Sequence, residues 1–506
     1  GHVATIVTAI EELAAKVGKP KRDYTVTVAK EDLLEIAYEV AGDRIEDAIY
    51  APNKVERGKK VGALRDEVEA TLKERVPSVS EFEIEQCFEY IQKKAFRIAI
   101  MEKGVRADGR DIDTLRDLYA EAGTLPRVHG SSIFARGETQ ALATATLAPA
   151  DERQYFDNYA GGEDSKRFIL HYSFPPFSVG AACRFGGLNR REIGHGALAE
   201  RSIEPVIPAE ADFPYAMRVT SEVLESNGSS SMATVCSGVM ALLDAGVPLI
   251  RPVGAIAVGL VTEMDENDNI KEYKTLLDII GSEDFYGDMD FKICGTSEGI
   301  TGYQLDLKLA GVPLAILEEA VVKAAGGREK VLQKMHDTIA VPAALSEHAP
   351  RIESTKIDPE RIGELIGPGG KNIKGIQAES GADINIEDDG TVHVYASKKE
   401  SLDRAMEMIK QMFAEVEVGT VYTGAIVSTT NFGAFMQIMP GKDGLIHISE
   451  LAEGRIEKTE DVVKKGDTVT AKCIGVDDRG RVKMSIRAAA REAKQQEAAD
   501  EAPVEA

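Results

Sequence analysis

The sequence predicts an α+β multidomain protein: an all-helical unit, a large mixed α/β domain, a β-α-α-β-β-α unit and a five-stranded barrel, in that order. Three observations carry the prediction. The chain has 506 residues, several times the roughly 100–200 of one domain. Its hydrophobic period changes from three and four to two beyond Arg106, which marks a passage from helix to strand. Its last third holds two blocks of short segments punctuated by glycine.

At the start, Ile6, Ile10, Leu13 and Val17 recur at helical spacing, and Gly18 and Pro20 stop the helix. It opens without a cap or an acidic first turn. A lone amphipathic helix needs a surface to pack on, so residues 1–18 are expected to be the last helix of a preceding domain. Residues 31–103, rich in Glu, Lys, Leu and Ala, form the all-helical domain. Ile36, Val40, Ile45 and Ile49 give one stripe, Phe88, Ile91, Ala95 and Ile98 another, and Pro52 and Pro77 break the run.

Residues 106–342 are the largest domain. Ser131–Ala135 and Thr139–Leu147 read as a hairpin around Arg136-Gly137-Glu138, with further strands near Met217–Ser221, Ala255–Glu263, Met289–Cys294 and Tyr303–Leu309. Helices fit Arg191–Ile203, Ser231–Asp244 and Leu314–Met335. A Pro/Ala linker leads to residues 351–413, the β-α-α-β-β-α unit, and to residues 418–487, the five short strands. Residues 488–506 are an acidic stretch with little to form a core, expected to be a disordered tail or a frayed helix.

Composition excludes some classes and leaves others open. Forty-three per cent hydrophobic residues can build sizeable cores, and no apolar run nears the ~20 residues of a membrane span. The five cysteines form no C-x-x-C pair, so neither a zinc site nor a disulfide framework is indicated, and a cytoplasmic protein fits best. The net charge of −24 does not exclude nucleic acid, because attraction depends on local patches.

The chemistry gathers in the large domain. In the stretch from Ser282 to Lys292, period two places Asp288, Asp290 and Lys292 on one strand face and Met289, Phe291 and Ile293 on the other, with Asp284 upstream. Carboxylates suit Mg²⁺ or Mn²⁺, and phosphoryl-type transfer needs such a cation to neutralise oxygen charge; a solvated strand face is the plain alternative. Ser226-Asn-Gly-Ser229-Ser230-Ser231 enters a helix, where hydroxyls, N–H groups and the positive helix end can receive an anion. One serine would suffice for a cap. Arg190, Arg191 and His195 open another helix, where cations oppose the dipole unless an anion is bound.

Three tempting patterns fail. Gly295-Thr-Ser297-Glu-Gly299 matches the nucleophile elbow, but alternating Tyr303, Leu305, Leu307 and Leu309 follow, which makes it a hairpin turn rather than a strand–helix junction. The Gly370-Lys371 stretch matches neither a P-loop nor a dinucleotide fingerprint.

Ile366-Gly367-Pro-Gly-Gly370-Lys371 links two helices of the β-α-α-β-β-α unit. A G-x-x-G turn lets a phosphate approach closely, and the unit resembles a KH domain. The last barrel resembles the S1 type of OB-fold, with Phe432, Phe435 and His447 placed to stack bases and Arg481 to meet phosphate. Phe435 alternates with apolar Met436, so one of the two must face outward.

The order of these domains, with the serine turn and the R-R-E-I-G-H and G-D-M-D-F-K segments, resembles the polynucleotide phosphorylase (polyribonucleotide nucleotidyltransferase) family. The resemblance implies that residues 106–342 are a second RNase PH-like core of the ribosomal protein S5 domain 2-like type, with most of the first core absent. It implies that Asp284 and Asp290 hold Mg²⁺ or Mn²⁺ beside Lys292, and that Ser229, Ser230 and Ser231 bind inorganic phosphate, Ser230 most directly. Arg190, Arg191 and His195 would hold phosphate groups. It further implies phosphorolytic 3′-to-5′ degradation of single-stranded RNA, reversible to polymerisation, a homotrimer, and a possible RNA degradosome endonuclease or helicase as partner. A hydrolytic exonuclease on the same scaffold and a non-catalytic RNA-binding fragment are the other readings; phosphate dependence separates the first, and Asp290→Asn the second.

Overall fold

The computed structural model describes residues 1–500 apart from 25–27, 52, 160, 185, 188, 414–415, 440–441, 455, 457 and 478–480, and apart from the side chains of 151 and 494–500. Contacts divide the chain into two units: Gly1–Thr146, Gln154–Phe213 and Met217–Ser346 form one, and Leu147–Arg153, Pro214–Ala216 and the chain from Glu347 form the other.

The first unit begins with α1 (His2–Val17), which has no side-chain cap and leaves Val3, Ile6, Val7, Ile10, Leu13 and Val17 exposed. Four helices follow: α2 (Glu31–Ala41), α3 (Arg44–Ile49), α4 (Lys54–Arg75) and α5 (Glu81–Ile98), the last opened by a Ser80/Glu83 capping box. Pro77 lies between α4 and α5, whereas Pro52 is outside the described residues. The buried stripe of α2 is Leu33, Ala37 and Ala41 rather than Ile36 and Val40, which flank it partly buried. Small alanines occupy the centre of the buried face of α2, with Ile36 and Val40 packed at its edge and Ile45 and Ile49 buried in the same core. The helical core continues into Ala257, Val261, Leu276 and Ile279 of the following domain.

That domain carries two sheets. The first has the order β1-β2-β3-β7-β6, from β1 (Leu118–Ala122), β2 (Gly130–Arg136), β3 (Thr139–Pro149), β6 (Phe168–Ser173) and β7 (Tyr215–Glu225); β6 and β7 run parallel. β4 (Gln154–Asp157) and β5 (Glu163–Lys166) make a separate ribbon. The second sheet is β11-β10-β8-β9, from β8 (Gly254–Met264), β9 (Ile270–Leu277), β10 (Met289–Gly295) and β11 (Ile300–Leu307), antiparallel throughout. Two helices join the sheets: α6 (Arg190–Ile203) packs on β6 and β11, and α7 (Ser230–Asp244) on β2 and β8. Every residue of α7 from Ser230 to Leu243 is buried. A short helix, α8 (Gly281–Tyr286), precedes β10, and α9 (Leu314–Thr338) packs along β8.

The second unit opens with β12 (Arg351–Lys356), α10 (Ile362–Ile366), α11 (Lys371–Ser380), β13 (Asp383–Ile386), β14 (Thr391–Ala396) and α12 (Lys399–Phe413), around Leu365, Val392, Val394 and Ala405. It continues into a closed barrel, β15-β16-β17-β19-β18, from β15 (Val421–Thr430), β16 (Gly433–Met439), β17 (Lys442–His447), β18 (Thr468–Val476) and β19 (Val482–Ser485). Of the two readings of the segment from 488, the described residues are helical, as α13 (Ile486–Asp500); residues 501–506 lie outside the description. Its Ala, Glu, Gln and Lys favour helix. The helix is tied to the barrel domain by buried Ala489 and by the Arg487–Glu450 and Lys472–Glu492 pairs, both 2.8 Å.

Candidate active site

The floor of the site is the loop entering α7. Gly228 takes φ 95°, and a Cβ there would lie 2.8 Å from the Ile279 carbonyl oxygen; Ser229 follows at φ 51° as the N-cap of α7. What fixes this left-handed turn is a set of side chains gripping its carbonyls. Arg116 Nη1 donates to the Asn227 carbonyl (2.9 Å), Thr139 Oγ1 to that of Gly228 (3.1 Å) and Arg136 Nη2 to that of Ser229 (2.7 Å). Lys54 Nζ, from the helical domain, donates to the Ser226 carbonyl (3.1 Å). The N–H groups of Met232 and Ala233 turn back to the Ser229 carbonyl (3.1 and 3.4 Å), so the leading N–H groups left as donors at the loop are those of Ser230 and Ser231.

Arg116 and Arg136 in turn share Asp278, which is fully buried, with Arg116 Nη2 at 2.7 Å. Burial pushes that carboxyl upward, but Arg116 and then Arg136 overcome it and hold it far below the usual carboxylate range. Arg106 and Glu283, both enclosed, pair beside it and anchor α8.

Ser226, Asn227, Gly228, Ser229 and Ser230 line one side of a cavity of about 640 Å³. The opposite side is Asp284 of α8, Asp290 and Lys292 of β10, and Gln304, Asp306 and Lys308 along and just beyond β11. Asp290 and Asp306 are direct cross-strand partners. Arg191 and His195 of α6 and Arg57 of α4 complete the wall. Asn189 and Glu192 form a capping box that sets the start of α6, so the two basic side chains, four apart, project together.

Electrostatics follow from enclosure. Burial raises the Asp290 carboxyl; Lys292, bonded to its Oδ2, opposes that, and Asp284 and Asp306 add to it. Burial, then Lys292 and Arg191, push His195 down to about 4. Its imidazole is therefore neutral near pH 7 and acts as a hydrogen-bonding group rather than the cation its position suggested. Ser230 Oγ shares a 2.7 Å hydrogen bond with the Tyr172 hydroxyl.

Five enclosed polar atoms of the cavity wall meet no partner: Arg57 Nη1, His195 Nδ1, Ser229 Oγ, Ser282 Oγ and Asp290 Oδ1. Buried polar groups are paired in all but a few cases, so this concentration marks a place for a polar, charged ligand. A divalent cation fits the free Asp290 Oδ1 with Asp284 nearby. Among the described residues no three His, Cys, Asp or Glu side chains form a ready-made metal cluster, and Mg²⁺ commonly takes one or two carboxylates, with water and substrate phosphate filling the rest.

Of the residues singled out by sequence, Asp284, Asp290, Lys292, Ser229, Ser230, Arg191 and His195 share this cavity; Ser231 and Arg190 do not line it. Ser231 is fully buried one step further into α7, and Arg190, at the first position of α6, is exposed. Asp288 also leaves the group. Arg97 grips both its oxygens (2.8 Å each), and the Thr262 N–H and hydroxyl donate to it at 2.8 Å. Lys54, Arg57, Tyr172, Asp306 and Lys308 were missed. Gln304, Asp306 and Lys308 were legible as the polar complement of Leu305 and Leu307; Lys54 and Arg57 come from a distant helix and gave no local signal.

The G-x-x-G turn holds Gly367, Gly369 and Gly370 at φ 70°, 60° and 78°. A Cβ on Gly367 would meet Asn372 at 2.6 Å, whereas Gly369 faces open space. Lys371, exposed, is the first residue of α11. On the barrel, Met436 is the core residue and Phe435 faces outward, edge-on to exposed Phe432 with ring centres 6.4 Å apart. His447, exposed, pairs across from Gly433. Arg481 is exposed, 3.8 Å from Asp477. Lys483 shares a strand-to-strand row with Leu445 and Phe435, a basic side chain on the aromatic face that local sequence did not place there.

Fold and matched domains together define a core of the RNase PH type followed by KH and S1 RNA-binding modules. The model of the 3′ exoribonuclease family, domain 1, matches residues 114–248; the KH domain matches 352–411 and the S1 RNA binding domain 415–487. The model described as polyribonucleotide nucleotidyltransferase, RNA binding domain, matches 8–111. The polyribonucleotide nucleotidyltransferase of Akkermansia muciniphila is 71% identical over 479 residues, 94% of this chain and 67% of that protein. Those of Methylacidiphilum infernorum and Opitutus terrae are 51% and 46% identical, over 97% and 99% of this chain and 70% and 71% of their own lengths. The chain belongs to the polyribonucleotide nucleotidyltransferase family.

Proposed function

We propose that the cavity splits single-stranded RNA from its 3′ end with inorganic phosphate as the attacking group, releasing nucleoside diphosphates, and that the reaction runs backward as polymerisation. The observation that carries this is the concentration of unpartnered polar atoms where a helix N-terminus, Arg191 and the Asp290–Lys292 pair meet. Phosphate would sit at the α7 entry, held by backbone N–H groups, Ser229 and Ser230. Arg191 and neutral His195 would orient it or the scissile phosphodiester. A phosphate oxygen forms the new bond to phosphorus, and the bond to the 3′ oxygen of the preceding nucleotide breaks. The proton of hydrogen phosphate balances the alcohol released. Asp284 and Asp290 would hold Mg²⁺ or Mn²⁺, which would offset charge on the reacting oxygens. Lys292 opposes the rise that burial imposes on the Asp290 carboxyl and adds a positive charge at the same point.

The KH turn and the outward barrel aromatics would hold single-stranded RNA by phosphate approach and base stacking. A homotrimer, a cytoplasmic setting and a degradosome endonuclease or helicase as partner belong to the same reading.

Incubating the chain with 3′-labelled RNA, Mg²⁺ and increasing phosphate tests it. Nucleoside diphosphates should appear in proportion to phosphate, and Asp290→Asn should slow the reaction by at least ~100-fold while RNA binding persists. Monophosphate products without phosphate would replace the proposal with hydrolysis.

A further inference from the structure

A second cavity, of about 530 Å³, lies between α9 and the turn joining β10 to β11. That turn is the Gly295-Thr-Ser297-Glu-Gly299 segment, to which the reaction assigns no role. Gly295 pairs with Ile300 and the Thr296 N–H donates to the Gly299 carbonyl (2.9 Å), so it is a tight hairpin end.

The wall includes Arg328 of α9, only 7% exposed. Its Nε and Nη1 are enclosed and meet no acceptor. Other buried arginines of this unit behave differently: Arg106 holds Glu283, and Arg116 and Arg136 hold Asp278. Enclosing an ion without a counter-charge is strongly unfavourable, so an arginine kept this way needs an explanation. Cys294 is the group that supports its charged form against burial, yet burial pushes that thiol up to about 11, so it carries no charge near pH 7. Glu329 lines the cavity but is exposed and makes no ion pair with Arg328, and Glu298 is taken by Arg251 at 2.6 Å. Thr296 Oγ1 accepts from the N–H groups of Glu298 (3.1 Å) and Gly299 (3.3 Å), which leaves its hydroxyl hydrogen to donate. Ser297 and His336 also line the space.

We propose that this cavity is an oxyanion site, separate from the reacting centre, in which Arg328 binds a phosphate group with the hydroxyls of Thr296 and Ser297 as further donors. A guanidinium fork matches two oxygens of a tetrahedral anion, and a doubly charged anion supplies the missing counter-charge.

The test follows thermal unfolding of the full chain against inorganic phosphate, in an Arg191→Ala background that weakens the reacting centre's own hold on phosphate. A saturable rise of about 2–4 °C is expected, and adding Arg328→Met should lower it measurably. Arg328→Gln serves the same purpose if the methionine variant does not fold. Crystals soaked in tungstate should show an anomalous peak within hydrogen-bonding reach of Arg328. A phosphate response unchanged by loss of Arg328, a tungstate peak at Ser230 with none at Arg328, or an equal response to acetate would overturn the proposal.

Discussion

The molecule presents two glycine-bearing turns that open helices, at 228–229 before α7 and at 367–370 before α11, and they are built oppositely. The first is locked: Gly228 has no room for a Cβ, its neighbours' carbonyls are gripped by Arg116, Thr139 and Arg136, and those arginines stand on buried Asp278. The second stands in the open, with free space around Gly369 and an exposed Lys371. Both offer N–H groups to an anion. A rigid, enclosed turn suits chemistry, which needs fixed geometry; an exposed one suits a polymer that must pass through.

The sharpest way to break the first turn is to remove what it stands on. Asp278→Asn leaves Arg116 and Arg136 enclosed without their counter-charge and should cost about 3–5 kcal/mol, read by urea unfolding, with the reaction lost alongside. A cost near that of a surface substitution would mean the turn is held by something else. Asp278 is depressed in the folded state, so its contribution is present above the unfolded carboxylate pKa and is lost only as pH falls toward the folded value. It therefore adds no slope between pH 8 and 5.

His195 does add one. Its folded value of about 4 lies below the ~6.5 of an unfolded histidine. The unfolded chain binds more protons between those values, so stability should fall as pH drops through that window. Phosphate, by favouring the imidazolium, should shrink the loss. Unfolding midpoints from pH 7.5 to 4.5, with and without phosphate and against His195→Asn, measure it; a slope unchanged by the substitution would remove His195 from the account.

What the sequence disclosed follows the same division. The exposed turn was readable because its chemistry is local: consecutive glycines, a lysine and the flanking element order. The cavity residues were readable where they repeat at short spacing, as Asp290 and Lys292 do on β10 and Arg191 and His195 on α6. The supports were not. Arg116 and Asp278 are 162 positions apart, and Arg106 and Glu283 are 177 apart, so each looked like an ordinary surface charge until folding enclosed it. Ser231 differs for a related reason: helical rotation turns the third serine into the core, away from the cavity lined by Ser229 and Ser230.

The exposed turn and the barrel allow the gentlest test. Lys371→Ala removes one phosphate contact and disturbs no packing, so RNA affinity should drop only several-fold, similarly for every sequence, and the slope of log affinity against log salt should fall by about 0.7. Phe435→Ala removes a stacking surface, worth about 1–3 kcal/mol per base, and should leave the salt slope alone. Paired titrations of single-stranded RNA at 50 and 200 mM salt separate the two. If both substitutions changed the slope equally, the barrel face would be working through charge, with Lys483 in the row beside Phe435 as the residue to remove next.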